Sequence, residues 1–147
     1  MLTEEWAARF LRAKEDARRS PKTLETYGFV LRRFARALRT LPRTPEAIEH
    51  FLGTIEGEPE TVDCYYRVLN TFYKWLARRR RVRNPMPLVE RPRRRAKVPA
   101  ILELGDLPRL LDHPGHSQRD RTLLYFLVDS GWRIGEAHKL RHSMIQE

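Results

Sequence analysis

The sequence predicts an all-α fold, and three observations carry that expectation. Apolar residues recur at spacings of three and four, the period of one helix face. A capping hydroxyl followed by proline, a helix-start signal, occurs twice, at Ser20-Pro21 and Thr44-Pro45. No segment alternates with period two for long enough to argue a strand.

The elements follow in order. Thr3 is placed to cap a first helix with Trp6, Phe10, Ala13 and Ala17 on one face. After Ser20-Pro21, Leu24, Tyr27, Leu31, Phe34 and Leu38 form a core stripe, so these aromatics read as packing rather than as a platform for stacking. Thr44-Pro45 opens a third helix carrying Ile48, Phe51, Leu52 and Ile55, and Gly57 ends it. A fourth runs roughly over 60–81, with Val62, Tyr66, Leu69, Tyr73 and Leu76 on its inner face and Phe72 and Trp75 widening it. Four such helices make a small bundle around one core.

Asn84-Pro85-Met86-Pro87 stops the fourth helix, because a residue before proline resists the helical region. From there to Pro99, four prolines and many arginines read as an extended basic linker. Helical patterning resumes with Leu104, Leu107, Leu110 and Leu111 and stops at His113-Pro114-Gly115. Ser117 caps the next helix, with Leu123, Leu124, Phe126, Leu127 and Val128, and Gly131 fits its C-terminal turn. A last helix starts near Trp132 or Arg133 and carries Ile134, Ala137 and Leu140. The expected organisation is a helical domain over 1–83, a basic linker over 84–100 and a further helical region over 101–147.

Composition narrows the function. The chain of 147 residues is 41% hydrophobic and 33% charged, which suits a globular protein. The single Cys64 excludes an intramolecular disulfide and a cysteine-only metal cluster. The N-terminus, acidic and then amphipathic, does not read as a secretory signal, and no apolar run is long enough to span a bilayer; the expected location is cytoplasmic, with no membrane partner. The net charge is +10. Between residues 67 and 97 stand twelve bases: Arg67, Lys74, Arg78, Arg79, Arg80, Arg81, Arg83, Arg91, Arg93, Arg94, Arg95 and Lys97. Against the one acid Glu90 they give that window +11, so the remainder sums to −1. A near-neutral body with one basic belt points to a polyanion.

The order of motifs resembles the tyrosine recombinases, or phage-type integrases, over nearly the whole chain. SPKTLETYGFVLRRFARAL is similar to the second helix of that family's N-terminal core-binding domain, and TVDCYYRVLNTFYKWLARRRRVRNP to its fourth helix and following Asn-Pro. VPAILELGDLPRLLD resembles the opening of the catalytic domain, and SQRDRTLLYFLVDSGWRIGEAHKLR the first catalytic box. The resemblance implies a SAM-like core-binding bundle followed by the first two or three helices of the catalytic domain. It also implies that the two domains clamp opposite faces of a DNA duplex, with the linker passing along it.

Members of that family break and rejoin DNA through a tyrosine that attacks a phosphodiester, with two arginines, a lysine and histidines around the scissile phosphate. Such chemistry needs donors aimed at a phosphate gaining negative charge, and a planar, permanently charged guanidinium suits it. Arg133 matches the first arginine, and Glu136 the family's acidic residue, expected to orient Arg133 or brace its turn. A helix N-terminus would add donors to the same anion site. Trp132 stands where the family usually has leucine, and Cys64 and Tyr65 where it often has basic residues on the DNA side of the fourth helix.

The resemblance covers the family's pattern only to Glu147, short of the sheet, the lysine, the His-x-x-Arg helix and the nucleophilic tyrosine. Tyr27, Tyr65, Tyr66, Tyr73 and Tyr125 all fall within helical stripes or at their edges, so the 147 residues alone are expected not to cut DNA. His138-Lys139-Leu140-Arg141 also spells His-x-x-Arg, but it aligns without a gap to the continuation of the first box. If helical, Arg133 and Arg141 differ by ~12 Å in rise, too far to clasp one phosphate easily, so Arg141 reads as a surface or backbone-contacting residue. His138 and His142, with no third ligand nearby, and His50, His113 and His116 read as ordinary surface histidines; no metal or cofactor is expected.

The expected function is duplex DNA binding within site-specific recombination or integration, by a chain monomeric off DNA that meets further recombinase protomers on it. One alternative is a stand-alone DNA-binding or regulatory module, a decayed integrase that occupies sites without cutting. Another is a helical module for RNA or an acidic protein.

Overall fold

The computed structural model describes residues 1–80, 83–93 and 101–141, without the side chain of Arg80. All regular elements among them are helices. The chain divides into two compact units, 1–96 and 97–147.

The first unit holds α1 (Thr3–Asp16), α2 (Pro21–Ala37), α3 (Pro45–Gly53) and α4 (Pro59–Arg80). Phe10 and Phe72 pack edge to face with centroids 5.4 Å apart, Trp75 closes on Phe10 at 5.6 Å, and Phe34 on Phe51 at 5.0 Å. Each fully buried side chain of this size contributes about 1.5–3 kcal/mol, so these rings dominate the stability of the unit. At Gly28 a Cβ would lie 3.0 Å from the Arg32 guanidinium of the same helix, a flexible end that can move aside, and at ordinary contact distance, 4.0 Å, from Leu11 of α1.

The helix starts differ from one another. Ser20 caps α2, its hydroxyl accepting the Thr23 N–H. Thr44 precedes α3 without a side-chain cap. Thr3 is not the cap of α1; it is the first helical residue, fully buried, and its hydroxyl donates to the Leu38 carbonyl. With Thr3 N–H bonding Arg39 O and Leu41 N–H bonding Met1 O, it ties the N-terminus to the α2–α3 connection.

The inner face of α4 is rotated from the expected one. Tyr65, Val68, Leu69, Phe72, Tyr73 and Leu76 are buried, while Val62 and Tyr66 are half-buried. Tyr65 packs between Phe29 and Phe51, so it belongs to the core and not to an outward face. Tyr73 donates from its buried hydroxyl to Pro42 O at 2.9 Å, and burial pushes its ionisation well above the usual tyrosine range.

The segment expected to be extended from residue 84 starts as part of the bundle. Met86–Leu88 form a 3-10 turn, stitched by the Asn84 side chain accepting the Met86 N–H at 3.1 Å. Met86 and Val89 join the core, and Glu90 N–H reaches Glu49 Oε1 at 3.0 Å. The first unit therefore continues past the expected boundary at 83. Residues 94–100 lie outside the described residues.

The second unit carries α5 (Leu107–Leu111), α6 (Gln118–Ser130) and α7 (Ile134–Ala137). Leu104, expected in the helix, lies in the turn before it and is exposed. Ser117 caps α6 by accepting the Asp120 N–H at 3.2 Å. Gly131 ends α6 in the left-handed conformation, φ 65°.

Candidate nucleic-acid interface

The outward side of α4 concentrates positive charge. Arg67, Lys74 and Arg78 lie seven and four residues apart, so helical geometry aligns them on one stripe, and all three are exposed. Arg79 sits beside that stripe with its guanidinium 5.5 Å from the Trp75 ring centre. Arg83 and Arg93 are exposed. Arg81, Arg94, Arg95 and Lys97 lie outside the described residues, and of Arg80 only the backbone is described.

Neighbouring helices add side chains that the sequence reading passed over. Lys22, Thr23 and Thr26 of α2 and Cys64, Arg67 and Thr71 of α4 line a shallow groove of the first unit. Thr26 and Thr71 hydroxyls donate to carbonyls of their own helices, at Lys22 and Arg67, and Lys22 pairs with Glu25 at 2.9 Å. On α1, Lys14 is held below the usual lysine range, first by partial burial and then by the charges of Arg19 and Arg78. Lys14, on the last turn of α1, therefore lies within electrostatic reach of Arg78 on α4. In sequence α1 reads as near-neutral, so only the packing of α1 on α4 reveals this.

Arg67 and Arg91 are held differently from the rest of the belt. Both pair with Asp63, whose side chain is fully buried: Arg91 Nε donates to Oδ1 at 2.9 Å, and Arg67 Nε lies 3.1 Å from Oδ2 as an ion pair. The Arg91 guanidinium also lies 6.0 Å from the Tyr66 ring centre.

In the second unit, Arg133 is the N-cap of α7 and exposed. Glu136 accepts both the Arg133 backbone N–H at 3.0 Å and its guanidinium Nη1 at 3.4 Å. One carboxylate thus fixes both the turn and the side chain. Trp132 packs edge to face on Phe126 at 5.7 Å, filling the place with bulk. Because α7 is one turn, ending at Ala137, its dipole adds little to an anion site, and the rise between Arg133 and Arg141 is not that of a continuous helix.

His50 and His138 are exposed. The His113 Nδ1 accepts Gly115 N–H at 3.1 Å, and the His116 ring bonds Leu110 O at 2.9 Å. His142 lies outside the described residues. Among the described residues no three metal-ligating side chains cluster, and no helix is long and apolar enough to cross a membrane.

The chain is similar to tyrosine recombinases of known sequence. It is 28% identical to tyrosine recombinase XerC of Pelobacter propionicus, over 92% of this chain and 50% of that protein. A tyrosine recombinase of Thermosipho africanus is 29% identical over 84% of this chain and 48% of its own length. XerC of Bacillus licheniformis is 33% identical over 56% of this chain and 29% of its own. No family model and no solved structure matches significantly. The chain is thus similar to tyrosine recombinases along most of its length, and it spans half or less of the length of these relatives.

Proposed function

We propose that the chain binds duplex DNA within site-specific recombination, as the core-binding part and the first helices of the catalytic part of a tyrosine recombinase. The single observation that supports this best is the charged side of α4, where Arg67, Lys74 and Arg78 share one exposed stripe beside Arg79. Contacts from such a stripe go mainly to phosphates, which position a protein without reading sequence. The division of labour follows: residues 1–83 grip, 84–100 continue the basic path, and 101–147 carry Arg133 to the scissile phosphate with Glu136 bracing it.

A phosphodiester under attack gains charge on its non-bridging oxygens, and a preorganised guanidinium stabilises that charge without losing its own. In the longer relatives' setting Arg133→Ala therefore abolishes strand exchange and leaves binding largely intact. The 147 residues alone bind without cutting. Tyr65 and Tyr73 are buried in the core and Tyr125 bonds Asp112 at 3.3 Å, so none of these is poised as a nucleophile.

The test is equilibrium binding of the chain to several unrelated duplexes, with Arg78, Arg79, Arg80 and Arg81 replaced together by Ala. The expected result is similar weakening on every duplex. A loss confined to one sequence contradicts phosphate positioning, and a covalent protein–DNA band on a denaturing gel contradicts the absence of cutting. Competition with RNA and heparin separates duplex recognition from general polyanion binding.

A further inference from the structure

A carboxylate fully withdrawn from water beneath a surface meant for an anion is unexpected, because it opposes binding unless it does something else. Asp63 is such a group, and it holds two members of the belt by their Nε atoms. Each guanidinium has an inner edge at Nε and two terminal nitrogens. The inner edges are spent on Asp63, while both arginine side chains remain 57% exposed. Arg91 comes from 28 residues away, and its segment is fixed by buried Met86 and Val89 and by the Glu90 to Glu49 bond. Two like charges are thus kept on the two oxygens of one carboxylate, one by a hydrogen bond and one by an ion pair, an arrangement they would not adopt unaided.

We propose that Asp63 is a positioning residue that presents Arg67 and Arg91 as a paired seat for a backbone phosphate of duplex DNA. The inference rests on the duplex-binding reading above. It gives a buried acid a role opposite in sign to its charge: Asp63 strengthens DNA binding by fixing two cations, although by itself it repels a phosphate. Lysine would serve less well at either position, since its three donors radiate from one flexible point while a guanidinium offers the carboxylate and the phosphate separate edges in a fixed plane.

The experiment is fluorescence anisotropy of the full chain on a labelled duplex across a salt series, for Asp63→Asn, Arg67→Ala with Arg91→Ala, Arg67→Lys with Arg91→Lys, and Arg78→Ala with Arg79→Ala. Asp63→Asn is expected to weaken binding by about threefold or more, despite the gain in net positive charge, and to lower the salt slope by up to about one. Adding the two alanines to Asp63→Asn is expected to weaken binding little further. Binding by Asp63→Asn as tight as the parent or tighter overturns the proposal, and marks the arginines as neutralising partners only. Should Asp63→Asn not fold by circular dichroism, the lysine pair decides at unchanged charge: weakened binding supports the seat, and parental affinity overturns it. If Arg78→Ala with Arg79→Ala weakens binding while these variants do not, this inference alone falls. If none of the variants changes affinity, the duplex-binding reading falls with it.

Discussion

The two units differ most in how their apolar faces are used. In the first, large side chains from α1, α2, α3, α4 and the following turn close on one another, with Phe10, Phe34, Phe72, Tyr73 and Leu76 fully buried. In the second, among the described residues, Leu111 alone is buried, and α6 has no buried residue. Leu123, Val128, Trp132 and Ile134 stay 37–62% exposed. Amphipathic patterning is present in both units, so patterning makes helices in each, while only complementary faces make a core. Stability should therefore be concentrated in the first unit, where the charged side of α4 is mounted.

The sharpest way to break that comparison is a pair of truncations. Phe72→Ala is expected to cost the first unit about 3–5 kcal/mol, against no more than about 1 kcal/mol for Phe126→Ala in the second. Urea unfolding with hydrogen exchange resolved by segment reads both; equal costs would contradict the contrast. Next in size is Tyr73→Phe, which leaves the Pro42 carbonyl unsatisfied and should cost about 1–2 kcal/mol at neutral pH.

That hydroxyl also sets a pH dependence. Burial raises the ionisation of Tyr73 in the folded chain above its unfolded value, so its contribution is complete below the usual tyrosine range. It is lost as pH rises through the folded value. Stability should fall above pH about 10, and less steeply in Tyr73→Phe.

Smaller effects sharpen the comparison at the helix ends. Gly131→Ala places a side chain at φ 65°, where nothing lies within 4 Å to clash, so the backbone conformation alone should cost about 1 kcal/mol. Exchange at the end of α6 measures it. Ser20→Ala should cost about 0.5–1 kcal/mol and Thr44→Ala less, since the first hydroxyl caps its helix and the second does not. Melting temperatures of the two variants compare them.

These residues also mark what was legible in the sequence. Helix existence was, because spacings of three and four state it directly, and so were the Ser20, Ser117 and Gly131 signals, which are local. The facing of α4 was not: Tyr65 and Tyr66 both fit an apolar stripe, and the rotation is decided by the Phe29 and Phe51 rings from other helices. Nor was the fate of residues 84–91, where prolines and arginines read as a free linker although Met86 and Val89 anchor them. An aspartate in the first turns of a helix reads as a surface residue. That Asp63 is buried depends on Arg91 arriving from a distant segment, which no local pattern encodes. Charge was legible as a run of residues, but the nearness of Lys14 to Arg78 required the packing of α1 on α4.

The central claim, that the basic side chains grip the sugar-phosphate backbone of a duplex, is tested most directly by the salt dependence of binding. If about six to ten phosphates are neutralised, affinity should fall ~10³- to 10⁵-fold between ~50 and ~200 mM salt. The logarithmic plot should be straight, and its slope should diminish as Lys74, Arg78 and Arg79 are replaced one after another. A shallow slope, or one that these replacements leave unchanged, would contradict it.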